Sequence, residues 1–185
     1  MSNSNKNVSR ADSDQRLKEL ILYVSDRCDS HTNFGATKLN KILFYADFVA
    51  YARLGQPITG AEYQKLENGP APRRLVPLRN ELTSSGEAVI RDKAIYARTQ
   101  KRLVPLRAAN LGGFTGAEIA IVDEVIEALK DRTATEVSEL SHQLAGWQLA
   151  ESGETIPYCS VLLPRSDWSP DDETIAAGKA LAAGL

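Results

Sequence analysis

The chain has 185 residues, 43% of them hydrophobic, a formal net charge of −2 and two cysteines. That is enough apolar material for one covered core without disulfides or structural metal, and the remote pair Cys28 and Cys159 is no disulfide framework, so a reducing cytoplasm is expected. No run approaches the roughly 18 apolar residues that a membrane span needs, and the opening MSNSNKNVSRADSD lacks the apolar stretch of a secretory signal.

Charge is unevenly placed: net +1 over residues 1–64, +6 over 65–107 and −9 over 108–185. Such asymmetry suits an acidic partner, a basic partner, or two faces of one fold.

In chain order, residues 1–11 have the composition of a disordered tail, and 12–185 read as one domain. A first helix follows, capped by Asp12 or Ser13, with Leu17, Leu20, Ile21, Val24 and Cys28 in one apolar stripe. Residues 36–54 form the densest apolar segment. Leu39, Ile42, Leu43, Ala46, Val49 and Ala50 share one side of a helical wheel, and Phe44, Phe48 and Tyr51 form a second strip. A helix apolar on two faces needs neighbours on two sides, so this is the predicted central helix. Its start is ambiguous between caps at Asn33 and Thr37; Gly55 and Pro57 end it.

Residues 61–67 fit either a short helix or an extended segment, and Asn68-Gly69-Pro70 is a strong turn. Leu75, Leu78 and Leu82 then have helical spacing, with a kink expected at Pro77 unless it lies in the first turn. Residues 87–107 alternate β-favouring residues with charges and predict a small antiparallel hairpin or wing, linked near Asp92-Lys93 or Arg98-Thr99. The hexapeptide RLVPLR occurs at 74–79 and 102–107; the flanks differ, so the first copy is expected helical and the second extended.

Thr115 with Glu118 forms a capping box, with Phe114 and Ile119 as its staple, before a stripe of Ile119, Val122, Val125, Ile126 and Leu129. Thr133 with Glu136 forms a second, opening a short helix through Val137, Leu140 and Leu144. Residues 155–163 read as a strand or extended segment, and Ser169-Pro170 opens a C-terminal helix over 169–183. The fold class is therefore α+β and predominantly α-helical: one domain of about six helices around the 36–54 helix, with the hairpin appended.

No catalytic constellation stands out. Cys28 and His31 are one loose pair, far short of a zinc site, and Ser141-His142 point apart on a helix. No phosphate-binding glycine motif is present, so no cofactor or metal is expected. The arginines of residues 73–107 permit a winged-helix-like nucleic-acid binder as the alternative reading. The acidic remainder and the scarcity of aromatic residues weigh against it, and a solvated face pairing partly with the acidic C-terminal third explains the same charges.

The run KLNKILFYADFVAYARLGQPITGAEYQKLENGPAPRRL resembles the signature of the Panacea, or SocA-like antitoxin, domain family, long known as phage-associated. The K-L-x-K-[LI]-L-[FY]-[YF]-A helix falls on Lys38–Ala46, the G-x-P-[IL] connection on Gly55–Ile58, and the x-G-P turn on Asn68–Pro70. Leu140, Ser141 and His142 match a later L-S-x-x-[ST]-H stretch, with Trp147 close by. Pro77 and the Asp-rich C-terminal helix depart from the motif.

The resemblance implies a cytoplasmic, non-enzymatic antitoxin. Its partner is a cognate protein toxin encoded by an adjacent gene, and some members hand the toxin to a protease. The leucines, isoleucine and alanines of the central helix are core positions. Candidate partner contacts are Lys38, Lys41, Tyr45 and Asp47 on that helix, where packing explains less, together with Asn68, Gly69, Pro70, Arg73, Arg74, His142 and Trp147.

Overall fold

In the computed structural model, which describes residues 9–95 and 98–163, the chain is organised around one helix. This helix, α2 (Ala36–Leu54), follows α1 (Arg10–Arg27). It begins after Gly35 without a side-chain cap, and Gly55 ends it at φ 77°, its N–H donating to the Tyr51 carbonyl. Neither Asn33 nor Thr37 caps it. Ser9, not Asp12 or Ser13, caps α1: it is extended and its hydroxyl accepts the Asp12 N–H at 3.2 Å. The expected tail is thus helical from Arg10 onward. The predicted stripe of α1 is fully buried.

After α2 come two short strands, β1 (Tyr63–Gln64) and β2 (Ala71–Pro72), paired antiparallel around the Asn68–Pro70 turn. This resolves residues 61–67 as extended. Then α3 (Leu75–Ser84) takes Pro77 into its first turn, where the missing N–H has no helical acceptor to lose. The hairpin is β3 (Ala88–Ile95) with β4 (Arg98–Pro105), in register Val89↔Val104 and Ile95↔Arg98. Asp92-Lys93 therefore lies within a strand and Arg98-Thr99 opens one; neither is the link.

The two RLVPLR copies differ as expected. Residues 75–79 are helical, whereas 102–105 belong to β4.

Next, α4 (Gly116–Leu129) and α5 (Ala134–His142) both start in complete capping boxes, at Thr115–Glu118 and Thr133–Glu136. In α4 the buried stripe is Ile121, Val122, Val125, Ile126 and Leu129; Ile119 is only half-buried. A short α6 (Ala145–Leu149) and a 3₁₀ helix (Tyr158–Leu162) complete the described chain. The strand or extended segment expected over 155–163 is met only at its start, where Thr155 bridges to Gln64, the Ile156 N–H donates to the Tyr63 carbonyl and Pro157 is extended. From Tyr158 it is corrected: i+3 bonds from Ser160 to Pro157 and Leu163 to Ser160 wind the rest into the 3₁₀ turn, leaving Cys159 exposed. Its β-branched residues have no neighbouring strand to pair with beyond that point. The predicted helix at 169–183 lies outside the described residues, so the six helices seen include α6 in its place.

The two apolar faces of α2 meet α1 on one side and α4, α5 and the 3₁₀ helix on others. Phe44 and Phe48 lie 4.2 Å apart and pack on Tyr63 and Tyr158.

Between these strips α2 buries three charges. Lys38, 1% exposed, donates to the carbonyls of Lys130 and Arg132 at 2.6 and 2.8 Å, so it caps the C-terminal end of α4. Lys41 is equally buried. Asp47, with no exposed surface, accepts from the Thr59 N–H at 2.7 Å, the Thr59 hydroxyl at 2.5 Å, the Tyr63 hydroxyl at 2.8 Å and the Tyr158 hydroxyl at 3.4 Å.

Replacing Asp47 by alanine orphans the buried Thr59 N–H and hydroxyl, whereas Tyr63 and Tyr158 keep the Leu43 and Ala61 carbonyls as acceptors. The expected loss is about 2–4 kcal/mol of unfolding free energy, to be read from urea denaturation of Asp47→Ala against wild type. A loss below about 1 kcal/mol, the scale of one ordinary hydrogen bond, contradicts the anchoring role.

Candidate functional site

The Asn68–Pro70 turn sits where α2, α5 and α6 converge. Gly69 has φ 93°, a conformation that favours glycine, and its N–H donates to the Leu66 carbonyl at 2.9 Å. A Cβ built there would overlap Lys41 Nζ and Ser141 Oγ, so only glycine fits on both counts.

Each helix ties the turn by its backbone. From α2, Lys41 Nζ donates to the Pro70 carbonyl at 3.1 Å. From α6, Trp147 Nε1 donates to the Leu66 carbonyl at 3.2 Å. From α5, His142 is hydrogen-bonded to the Glu67 backbone, and its Nε2 is enclosed with no partner among the described residues. The imidazole stacks on the Trp147 indole at 4.0 Å, and Lys65 Nζ lies 4.2 Å from that ring's centroid. Glu67 and Asn68 face solvent.

Electrostatics follow from burial. Among the described residues Lys41 faces no carboxylate, and desolvation lowers its pKa to about 8. His142 is also lowered, first by desolvation and then by the Lys41 charge, while its bond to Glu67 acts the other way. At neutral pH the indole is therefore flanked by a lysine on one face and a neutral imidazole on the other.

Six of the sequence candidates are brought together here: Lys41, Asn68, Gly69, Pro70, His142 and Trp147. Lys65, which completes the stack, was invisible in the sequence because a lone lysine in an extended segment carries no signal.

The other candidates separate. Asp47 lies in the tyrosine cluster, and neither it nor Lys38 nor Lys41 is exposed; their expected role as surface contacts is corrected to one of anchoring the fold. Gly69 and Pro70 are buried as well. Tyr45 lies on another side of α2, against α4 and α5. Arg73 holds Gln64, the Gly153 carbonyl and Thr155, and Arg74 pairs with Asp14 and Glu81.

Two further arginines are similarly engaged, whereas Arg91, Lys93 and Lys101 on the hairpin are exposed. Arg102, 3% exposed, donates to the carbonyls of Asp29, His31 and Thr32. Arg107 clamps Glu19 and Glu87. Thus the ion pairs of the basic third run to α1, α3 and its own neighbours, and among the described residues it meets the C-terminal third through the Gly153 and Ala150 carbonyls and the Thr155 hydroxyl, not through carboxylates. Ser141 donates its hydroxyl to the Ser138 carbonyl at 2.7 Å, so it forms no nucleophile–base pair with His142. Among the described residues no group of three or more His, Cys, Asp and Glu could hold a metal, and no helix is long and apolar enough to cross a membrane.

Fold and site together define a predominantly helical α+β domain whose central helix, a helix-held glycine turn and a hairpin are packed as one unit. The chain belongs to the antitoxin SocA-like, Panacea domain family, whose model matches residues 39–148, from α2 through Trp147. No curated protein and no solved structure matches it.

Two outcomes test the site's physics. Gly69→Ala places a side chain at positive φ and into Lys41 and Ser141, whereas Gly55→Ala meets open space at a similar φ. The second should cost about 1–2 kcal/mol from the backbone alone, and the first clearly more; equal losses in thermal melts contradict the close approach.

The Lys41 amine titrates at about 8 when folded, against about 10.4 when unfolded. Between those values the unfolded chain binds more protons, so this group adds stability as pH rises. From pH 7 to 9.5 wild type should gain about 2 kcal/mol relative to Lys41→Met, measured by urea unfolding of both proteins at both pH values. A constant difference refutes the shift.

Proposed function

We propose that the protein is a cytoplasmic antitoxin that neutralises a cognate protein toxin, encoded beside it, by direct binding and without catalysis. One observation carries this reading: the family match runs through the whole unit that holds the Asn68–Pro70 turn. The physical character of that unit agrees. Its ionisable side chains are spent on backbone carbonyls and on one another, which rigidifies a surface rather than poising an acid, a base or a nucleophile. A rigid surface binds without a large ordering penalty. Transfer of the captured toxin to a cytosolic protease is the finer form of the same reading, with the toxin complex as the delivered species.

Nucleic-acid recognition is the weaker alternative, because Arg73, Arg74, Arg102 and Arg107 are already engaged inside the molecule.

Co-expression decides. The adjacent gene alone should arrest growth, and this chain should restore it and co-purify with the product. A harmless neighbour, or a toxic one that is neither bound nor rescued, removes the proposal. Tight, steeply salt-dependent binding to promoter DNA in place of toxin binding favours the alternative.

A further inference from the structure

Two adjoining hollows, of about 290 and 190 Å³, run along α4 beside α2 and α5. Tyr45, Ala128 and Leu129 line both, so they form one trough. Its walls are apolar, with Val49, Val125 and Leu144 among them. The lining runs along α4 from Glu124 to Leu129, about 8 Å, and on to Arg132 in the connection to α5. At one end Arg53 and Glu124 neutralise each other in an ion pair of 2.5 Å. At the other end Arg132 makes no salt bridge and the Tyr45 hydroxyl no hydrogen bond with the described residues, although Glu136 stands near enough for its carboxylate to feel the Arg132 charge. The two groups are near enough for the Arg132 charge to oppose the upward shift that burial gives the tyrosine.

An apolar trough walled by helices accepts the apolar face of another helix. Here the Tyr45 hydroxyl and the exposed Arg132 cation can both donate to an incoming group. The complementary occupant is therefore apolar along one face and carries a carboxylate at one end.

We propose that this trough is where the cognate toxin docks, through a helical segment of about two turns with an aspartate or glutamate seated between Tyr45 and Arg132. The inference rests on the antitoxin reading and names its contact surface. Charge complementarity selects the occupant. The position also fits, since every lining residue falls within the family-matched span. The other apolar groove, between α6 and the 3₁₀ helix, is lined largely by residues beyond that span and ends at Leu163.

The test measures affinity of the purified full chain for the adjacent-gene product. Ala128 and Arg132 are exposed, so substitution there spares the core. Ala128→Glu and Arg132→Glu should each weaken binding at least about tenfold, and Tyr45→Phe by about threefold to tenfold. Val76→Glu, an exposed position on α3, should leave it within about twofold. Thermal melts confirm that each variant folds. Independently of any variant, hydrogen exchange in residues 124–132 should slow when the toxin is added. Wild-type binding that survives both charge substitutions, or protection that falls elsewhere, overturns the trough while leaving the antitoxin reading intact. Absence of binding by the wild-type chain overturns both. If Ala128→Glu abolishes only self-association, the trough joins two copies of this chain and the proposal fails.

Discussion

A charge withdrawn from water must find its partners inside the protein, and helix α2 withdraws three. Each satisfies this demand at a different segment. Lys38 binds the carbonyls where α4 gives way to α5, Lys41 binds the Asn68–Pro70 turn, and Asp47 gathers Thr59, Tyr63 and Tyr158. The apolar strips of α2 bring neighbours close but tolerate sliding. The charges do not, because a shifted neighbour leaves an ion unsatisfied. Register across the core is therefore set by polar ties embedded in an apolar pillar.

This explains what could be read in advance and what could not. Helix α4 was legible because its signal is local: Thr115 and Glu118 answer each other within four residues, and the apolar period follows. Helix α2 was legible as an element for the same reason. The role of its polar residues was not. On a helical wheel a polar residue between two apolar strips looks like the solvent side. Lys41 instead binds a carbonyl 29 residues away, which leaves no mark in a sequence, and Asp47 binds the N–H and hydroxyl of Thr59, 12 residues away, together with the Tyr63 hydroxyl. The assembly of the turn with His142 and Trp147 was legible only through family resemblance, since their geometry depends on how α5 and α6 return to β1. The 3₁₀ helix shows the opposite error, in which β-favouring residues lacked a strand to pair with.

The repeated hexapeptide sharpens the point about context. Arg74 and Arg102 occupy equivalent places in identical runs. One precedes a helix and pairs with two surface carboxylates; the other lies in a strand and is buried against three carbonyls of the loop after α1. What differs is the chain on either side: a glycine–proline turn ahead of the first, and an eight-residue partner strand opposite the second. Local propensity was too weak to decide between them, and pairing with the neighbouring strand did. It also disposes of the basic third as a uniform patch, because residue type alone does not reveal which arginines are already engaged.

The way the turn is held separates fold from recognition. Trp147, His142 and Lys41 all grip main-chain groups, so the side chains at Glu67 and Asn68 contribute nothing to the grip. Changes there alter the exposed surface without loosening the joint, whereas Gly69 has no such latitude. The trough beside Tyr45 obeys a related rule. Leu129 and Val125 are committed to the core, but Ala128 on the same helix and Arg132 just beyond its end are exposed. A domain arranged in this way can change partners by substituting a few exposed positions while its buried ions keep the scaffold fixed.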